Sequence, residues 1–203
     1  QRIANLEAPN IVLIVADDLG YSDLGCFGSE IATDNIDDLV RQGQIFTNFY
    51  TAAVCSPTRA MLLSGTDNHM AGLGNMAEQI HQIPQQKGKV GYERHLNDKV
   101  ISVVQFRDQG YHTYMAGKWH LGWTADQSPK AKGFERSFAL LDGTANHYYP
   151  HSSRTYWEDD HFGSYPKGLY STDFYTDKLM QFINRDRGDA QPFFLYAAYT
   201  STN

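Results

Sequence analysis

The clearest structural signal in this chain lies at residues 11–20, which read IVLIVADDLG. Six consecutive apolar residues, most of them β-branched, are typical of a strand that is buried on both faces of a parallel sheet. The run stops at two adjacent carboxylates, Asp17 and Asp18. In open α/β sheets, ligands bind beyond the carboxyl ends of the strands. This stretch therefore predicts a strand, a fold class and one edge of a binding site.

Helical patterns and short apolar runs alternate along the rest of the chain. The sequence predicts helices at residues 34–43, 57–64, about 100–110 and about 174–183, and further strands at 44–50, 111–116 and 192–199. The order of these elements indicates an α/β fold with a mostly parallel, mixed sheet flanked by helices. We expect residues 66–95 to form a long surface loop with a functional role. Residues 122–170 give no assignment.

The composition excludes several classes of function. The 203 residues carry a formal net charge of −6, with 41% hydrophobic and 20% charged residues, which is typical of a globular domain. No basic stripe is visible, so no nucleic-acid partner is expected. No apolar run approaches the roughly 20 residues of a membrane helix. Two cysteines, Cys26 and Cys55, are too few for a disulfide framework. The compartment (bacterial periplasm or cytoplasm) and the oligomeric state do not follow from the sequence.

Asp17 and Asp18 form the first of three candidate clusters. Adjacent carboxylates repel each other unless a cation neutralises them, and hard divalent ions prefer oxygen ligands. Successive side chains of a strand point to opposite faces, so both carboxylates reach one ligand only if the strand ends there, as Leu19-Gly20 indicates. The alternative is a solvated turn with aspartates that cap a helix.

The second cluster is CSPTR at residues 55–59. Pro57 predicts a helix that begins here, and a helix N-terminus favours anions. Cys55 and Arg59 are four residues apart, so they share one face of that helix. Two alternatives remain open, namely a buried cysteine beside an arginine in a surface ion pair, and a thiolate nucleophile of low pKa. Cysteine phosphatases space the two residues six apart, which disfavours that class.

The third cluster is GKWHLG at residues 117–122, directly after the predicted strand at 111–116. Lys118 and His120 project together if the backbone stays extended. A lysine supplies positive charge for an oxyanion, and a histidine can transfer a proton. The alternative is ordinary surface polarity.

Other residues give weaker signals. The remaining histidines are scattered without the spacing of metal ligands, and we interpret them as surface or hydrogen-bonded loop residues. The aromatic residues Tyr148, Tyr149, Tyr156 and Trp157 either line a pocket or pack within loops, and we favour packing.

The three clusters, in this order, resemble the type I sulfatases of the alkaline phosphatase superfamily, which depend on formylglycine. CSPTR matches the sulfatase signature C-x-P-x-R, and further similarity in TDNH (66–69), MAE (76–78) and GFER (133–136) is closest to bacterial arylsulfatases. The resemblance covers nearly the whole chain and implies an alkaline-phosphatase-like sulfatase fold.

The resemblance also implies roles for individual residues. Asp17 and Asp18 would bind Ca²⁺, with Mg²⁺ as the alternative, and Cys55 would become formylglycine through the formylglycine-generating enzyme and lie at the metal. The formylglycine hydrate would attack the sulfur of a small-molecule sulfate ester. Arg59 would stabilise and orient the formylglycine. Lys118 and His120 would contact the sulfate or the formylglycine hydroxyls.

The chain also departs from the family pattern. Family members are longer, and their remaining Ca²⁺ ligands (an Asp-Asn pair) and a further active-site lysine lie in a later segment. Their histidine after the strand at 192–199 would fall near Asn203. We therefore expect residues 1–203 to be the N-terminal part of a sulfatase catalytic domain, with an incomplete metal site and little or no turnover. The alternatives are a phosphonate or phosphodiester hydrolase of the same superfamily, and an inactive sulfatase-like module.

Overall fold

The computed structural model describes residues 8–98, 102–150, 152 and 155–201. Its strands are β1 (Ile11–Ala16), β2 (His112–Lys118), β3 (Arg136–Leu140), β4 (Tyr156–Glu158), β5 (His161–Phe162) and β6 (Phe193–Tyr199). They form one sheet in the order β1-β6-β2-β3-β4-β5. The first four strands in this order are parallel to one another. Strand β4 pairs antiparallel with β3, and β5 pairs antiparallel with β4. The predicted α/β fold with a mostly parallel, mixed sheet is confirmed.

Helices pack on both faces of the sheet, and the described residues form five in all. They are α1 (Asp34–Gln42), α2 (Cys55–Ser64), α3 (Ala77–Ile80), α4 (Ser102–Asp108) and α5 (Ser171–Arg185), with short 3₁₀ turns at Tyr21–Asp23, Gly25–Phe27 and Ala125–Gln127. None of the helices in the described part of the chain combines the length and the apolar character that a membrane span needs.

The central strand β6 shows how the core divides into two layers. Its residues Phe194, Tyr196 and Ala198 pack into a cluster that includes α2 and α4. Leu195 and Ala197 point the other way, into a cluster that includes α5. Alternate side chains of a strand lie on opposite faces, so a continuous apolar run is what a strand between two helical layers requires.

Strand β1 differs from its prediction. Its burial alternates along the strand, and Val12 and Ile14 are 54% and 58% exposed. The prediction that both faces are buried is wrong, because among the described residues β1 is the edge strand, pairs with β6 alone, and has its outer face left open at Val12 and Ile14. Its inner residues still pack against the core cluster that contains α2.

The other sequence predictions have mixed outcomes. All four predicted helices are confirmed with shifted ends, although Val100 lies outside the described residues, as does Asn203. The predicted strand at 44–50 is wrong, since this segment is irregular and exposed and no described strand pairs with it. An isolated strand has no partner for its backbone groups. Residues 66–95 are largely irregular, as predicted, but they are not confined to the surface, because Ala71, Leu73 and Ala77 are buried.

Candidate active site

Two of the predicted clusters come together at the carboxyl ends of the parallel strands. Asp17 directly follows β1 and Lys118 ends β2, and both strands run parallel to β6, which lies between them. The Lys118 ammonium nitrogen Nζ lies 2.5 Å from Asp17 Oδ2, and both side chains are buried. The long side chain of Lys118 therefore crosses the end of β6 to reach the Asp17 carboxylate, which follows β1.

A glycine permits this close arrangement of β2 and β6. Gly117 has φ +110°, and a Cβ atom at this position would lie 1.9 Å from the carbonyl oxygen of Ala198. A side chain there would push the strands apart and displace Lys118, the next residue. Gly117 belongs to the third cluster of the sequence, but no local pattern there indicates this role.

Helix α2 supplies the second cation. Arg59 is 2% exposed and donates to Asp17 Oδ1 at 2.9 Å, to the Tyr196 hydroxyl at 3.1 Å and to the Lys118 carbonyl at 3.0 Å. Burial by itself would raise the pKa of Asp17, but the hydrogen bonds and charges of Lys118 and Arg59 lower it below its ordinary value. The Asp17 carboxylate is therefore held ionised between two buried cations.

Cys55 is the first residue of α2. The helix ends at Gly65, whose φ of +67° and hydrogen bond to Met61 form a left-handed C-cap. At the other end, Val54 provides no side-chain cap, so the first backbone N–H groups are not satisfied in that way. An uncapped N-terminus carries partial positive charge beside Cys55, which suits an anion.

The thiol of Cys55 lies close to positively charged groups. The adjacent His120 lowers the pKa of Cys55, burial opposes this effect, and the Lys118 charge lowers the pKa further. Burial disfavours the charged form of His120, but the adjacent Cys55 and the hydrogen bond to Glu78 raise its pKa above the ordinary value. The structure thus brings Cys55, Lys118 and His120 together, although they come from separate parts of the sequence.

The imidazole of His120 is fixed from two sides. It is 2% exposed, and its Nε2 lies 2.7 Å from Oε1 of Glu78, which belongs to α3. Gly143 packs directly on the ring, since a Cβ atom there would lie 2.6 Å from Cε1. His120 itself has φ +54°, so the chain turns sharply after β2 instead of remaining extended.

Asp18 joins Asp17 at a shared cavity. A cavity of about 350 Å³ is lined by Asp17, Asp18, Cys55 and Arg59, together with residues 51–54 and some neighbours. Asp18 is exposed and has φ +56°. The strand ends at Ala16, which is the condition for both carboxylates to face one space. A larger cavity of about 510 Å³ at Tyr156 and Tyr165 has no carboxylate, imidazole, amine or thiol among the described residues of its lining.

The donor set is of the type that a hard divalent cation prefers, but it is small. Two carboxylates supply oxygen ligands, whereas Ca²⁺ takes six to eight. Arg59 and Lys118 already bind both oxygens of Asp17. Within the described ranges, no group of three or more His, Cys, Asp or Glu residues is arranged to hold a metal ion. These residues therefore fit such an ion in kind but form only part of a site.

Two residues of the site escaped the sequence analysis. Glu78 appeared there only as part of a matching motif, and Tyr196 only as part of an apolar strand. Glu78 lies on a helix of four residues, which is too short for a periodic pattern. The available signal for Glu78 is its charge, because it stands among apolar residues in a segment with few acidic ones. Tyr196 gives no such signal.

Most of the other described histidines are exposed or hydrogen-bonded, as predicted, but His112 lies within strand β2 and His151 lies outside the described residues. Cys26 and Cys55 are both free thiols. His112 lies at the opposite end of β2 from Lys118, between the carboxylates of Glu135 and Asp189. His147 bonds to the Ser171 hydroxyl.

The fold resembles that of solved structures, which include a protein of the alkaline phosphatase superfamily. A member of that superfamily from Vibrio parahaemolyticus superposes with a TM-score of 0.51 at 21% identity, over 97% of this chain and 41% of its own. Ps i-CgsB, solved in complex with k-i-k-neocarrahexaose, superposes more closely, with a TM-score of 0.79 at 28% identity, over 96% of this chain and 45% of its own.

The chain belongs to the sulfatase family, because the family model for sulfatases matches residues 9–203. It is 45% identical over 214 residues to an uncharacterized sulfatase of Schizosaccharomyces pombe, covering 98% of this chain and 38% of that protein. It is 37% identical over 207 residues to an arylsulfatase of Klebsiella aerogenes, covering 98% of this chain and 44% of that protein. The chain thus spans less than half the length of these relatives.

Proposed function

We propose that residues 1–203 are the N-terminal part of the catalytic domain of a sulfuric ester hydrolase of the arylsulfatase type. The observation that carries this proposal is the position of Cys55. Its side chain lies at a helix N-terminus beside Lys118 and His120, in a chain of the sulfatase family. The relatives described above are named sulfatases, which favours sulfate esters over phosphonates and phosphodiesters as substrates.

The reactive group in this proposal is formylglycine, made from Cys55 by a formylglycine-generating enzyme. As its hydrate, it supplies the hydroxyl that accepts the sulfuryl group of a sulfate monoester. The ester S–O bond breaks and the alcohol leaves with a proton. The second hydroxyl of the hydrate then gives up its proton, the bond between the formylglycine carbon and the sulfated oxygen breaks to release sulfate, and water hydrates the aldehyde that is left. A covalent route of this kind replaces one difficult step by two easier ones.

The residues around Cys55 have different roles in this reaction. The Lys118 ammonium and the His120 imidazole, both beside the Cys55 side chain, stabilise the charged sulfate oxygens and move protons. Arg59 acts indirectly, because its guanidinium donates three hydrogen bonds that fix Asp17, the Tyr196 hydroxyl on β6 and the end of β2. Glu78 holds the His120 ring in place.

A divalent cation is part of the proposal. Asp17, Asp18 and the converted Cys55 would supply oxygen ligands to it, and the donor type favours Ca²⁺, with Mg²⁺ as the alternative. Such an ion would add positive charge at the sulfate oxygens.

Mass spectrometry of the tryptic peptide 42–59 tests the proposal. The chain is produced with and without a formylglycine-generating enzyme, and the peptide is analysed for aldehyde at Cys55. We expect the aldehyde only with the enzyme, and an unchanged thiol at Cys26 in the same sample. An intact Cys55 thiol, under conditions that convert a full-length sulfatase, would contradict the proposal.

A further inference from the structure

Four aromatic residues that the sequence analysis assigned to loop packing fall into two groups. Tyr156 and Trp157 are buried, at 1% and 8% exposure, which agrees with packing. Tyr148 and Tyr149 are 49% and 50% exposed, so packing does not account for them. The Tyr148 ring lies 5.5 Å from the ring of Tyr170, centroid to centroid. We call the rings of Tyr148, Tyr149 and Tyr170 the tyrosine platform.

The backbone beneath the tyrosine platform is held by hydrogen bonds. The side-chain oxygen of Asn146 accepts from the backbone nitrogens of Tyr148 at 2.8 Å and Tyr149 at 3.0 Å. The carbonyl of Tyr148 accepts from the backbone nitrogen of Gly168 at 2.7 Å. The carbonyl of His147, the residue before it, accepts from a buried tyrosine hydroxyl at 2.8 Å. Exposed rings on a fixed backbone lose little conformational entropy when a ligand binds.

Two connections place the platform on the same edge of the sheet as Cys55. The segment that leads to it starts at Gly143, which packs on the His120 ring. Tyr148 is five residues further along, so it lies within about 18 Å of Gly143 even if the chain is fully extended. In addition, His147 bonds to Ser171, and Ser171 lies 3.4 Å from the hydroxyl of Thr200, directly after β6. Strand β6 lies between the strands that carry Asp17 and Lys118.

We propose that the tyrosine platform binds the pyranose ring of a sulfated saccharide whose sulfate is directed to Cys55. This inference rests on the proposed function, because it names the leaving group of that reaction. A pyranose presents a face of C–H bonds bordered by hydroxyls, which matches an aromatic face with a polar tip. A small aryl group would gain most binding energy from a slot that excludes water. Tyr148 and Tyr149 are half exposed, so they suit a sugar ring better than an aryl group.

The charge beside the platform agrees with an anionic saccharide. The Lys167 ammonium nitrogen lies 5.5 Å from the centroid of the Tyr149 ring. A cation held over the edge of a sugar site can bind a second sulfate or a carboxylate on the same saccharide. Residues 167–170 are also tied to the platform through the backbone bond of Gly168.

The test is a ligand-observed NMR titration with four probes, namely glucose 6-sulfate, methyl glucoside, 4-nitrophenyl sulfate and inorganic sulfate. The double variant Tyr148→Leu/Tyr149→Leu keeps apolar surface but removes the rings. We expect its affinity for glucose 6-sulfate to fall by about tenfold. The double variant Tyr148→Phe/Tyr149→Phe keeps the rings and should stay within about twofold of the wild type. Met180→Ala, on α5 and 49% exposed, is the positional control and should change nothing.

A second readout separates this inference from the proposed function. Inorganic sulfate should protect Cys55 from alkylation equally in the wild type and in the tyrosine variants. If the Leu double variant keeps its affinity for glucose 6-sulfate, or if glucose 6-sulfate does not bind at all, the platform proposal is overturned. If the Leu double variant loses more affinity for 4-nitrophenyl sulfate than for glucose 6-sulfate, the platform proposal is overturned and the rings bind an aryl group instead. If inorganic sulfate protects Cys55 but glucose 6-sulfate does not, the platform proposal is overturned and the sulfatase function stands. If neither protects Cys55, the sulfatase function is contradicted as well.

Discussion

Glu78 Oε1 lies 2.7 Å from Nε2 of His120, although the two residues are 42 positions apart in the chain. His120 in turn lies beside Cys55 and lowers the pKa of its thiol. The short helix α3 thus influences the reactive position through one histidine. This relay makes Glu78 a positioning residue for the site, and its effect can be measured on the unconverted thiol.

We expect Glu78→Gln to lower the pKa of His120, because the imidazolium loses its carboxylate partner. The thiolate of Cys55 would then be less stabilised, and its reaction with iodoacetamide at pH 7 should slow by up to about tenfold, the effect of one pKa unit. The rate is measured by mass spectrometry of the peptide 42–59, with the exposed Glu30→Gln as control. An unchanged rate in Glu78→Gln would show that Glu78 does not act through His120.

Removal of the buried guanidinium should destabilise the fold. Arg59→Met leaves the Asp17 carboxylate and the Tyr196 hydroxyl without this donor inside the protein. We expect the free energy of unfolding to fall by about 3–5 kcal/mol, measured by urea denaturation. Tyr196→Phe removes a single hydrogen bond and should cost about 1 kcal/mol.

The matched control is Arg41→Met on α1, where the arginine side chain is 65% exposed. Exposed ion pairs contribute little, so this change should stay within about 0.5 kcal/mol. If Arg59→Met were no more harmful than Arg41→Met, the buried arginine would not hold the site together.

The contact between β2 and β6 should not tolerate a methyl group. Gly117→Ala would place a Cβ atom 1.9 Å from the Ala198 carbonyl oxygen. We expect a loss of at least about 3 kcal/mol in unfolding free energy, because both strands must shift. Gly110→Ala, just before β2, also has a positive φ but meets no atom within 4 Å, and should cost only about 1–2 kcal/mol. Equal losses in the two variants, measured by thermal or urea denaturation, would rule out the steric explanation.

His112 should make stability depend on pH at the end of the sheet remote from Cys55. Burial opposes its charge, but hydrogen bonds to Glu135 and Asp189 raise its pKa above the ordinary 6.5. The group binds its proton more tightly in the folded state, so its stabilisation is fully present below pH 6.5 and is lost as the pH rises through the folded pKa. His112→Gln should therefore lower the unfolding free energy at pH 5.5 more than at pH 8.5.

Urea denaturation at several pH values measures this difference. The exposed His81→Gln serves as control and should shift stability equally at both ends of the range. A His112→Gln effect that is the same at pH 5.5 and pH 8.5 would mean that the charged pair contributes nothing.

Some of the fold could be predicted from the sequence because the signals are local. The apolar run of β6 and the periodic face of α5 identify their elements without reference to partners. Strand β1 was recognised as a strand, but its position at the sheet edge depends on which strands pair with it. Strands β4 and β5 were missed because three and two residues carry no period.

The candidate site divides in the same way. The sequence by itself determined that Asp17, Cys55 and Lys118 each lie at the end of a strand or at the start of a helix, since turn residues and apolar runs fix those boundaries locally. Only the tertiary structure decided that Arg59 and Lys118 hold the two oxygens of one carboxylate, that Glu78 reaches His120, and that Tyr148 stays exposed. Those relationships join residues far apart in the chain, and they depend on strand order and packing, which no local pattern encodes.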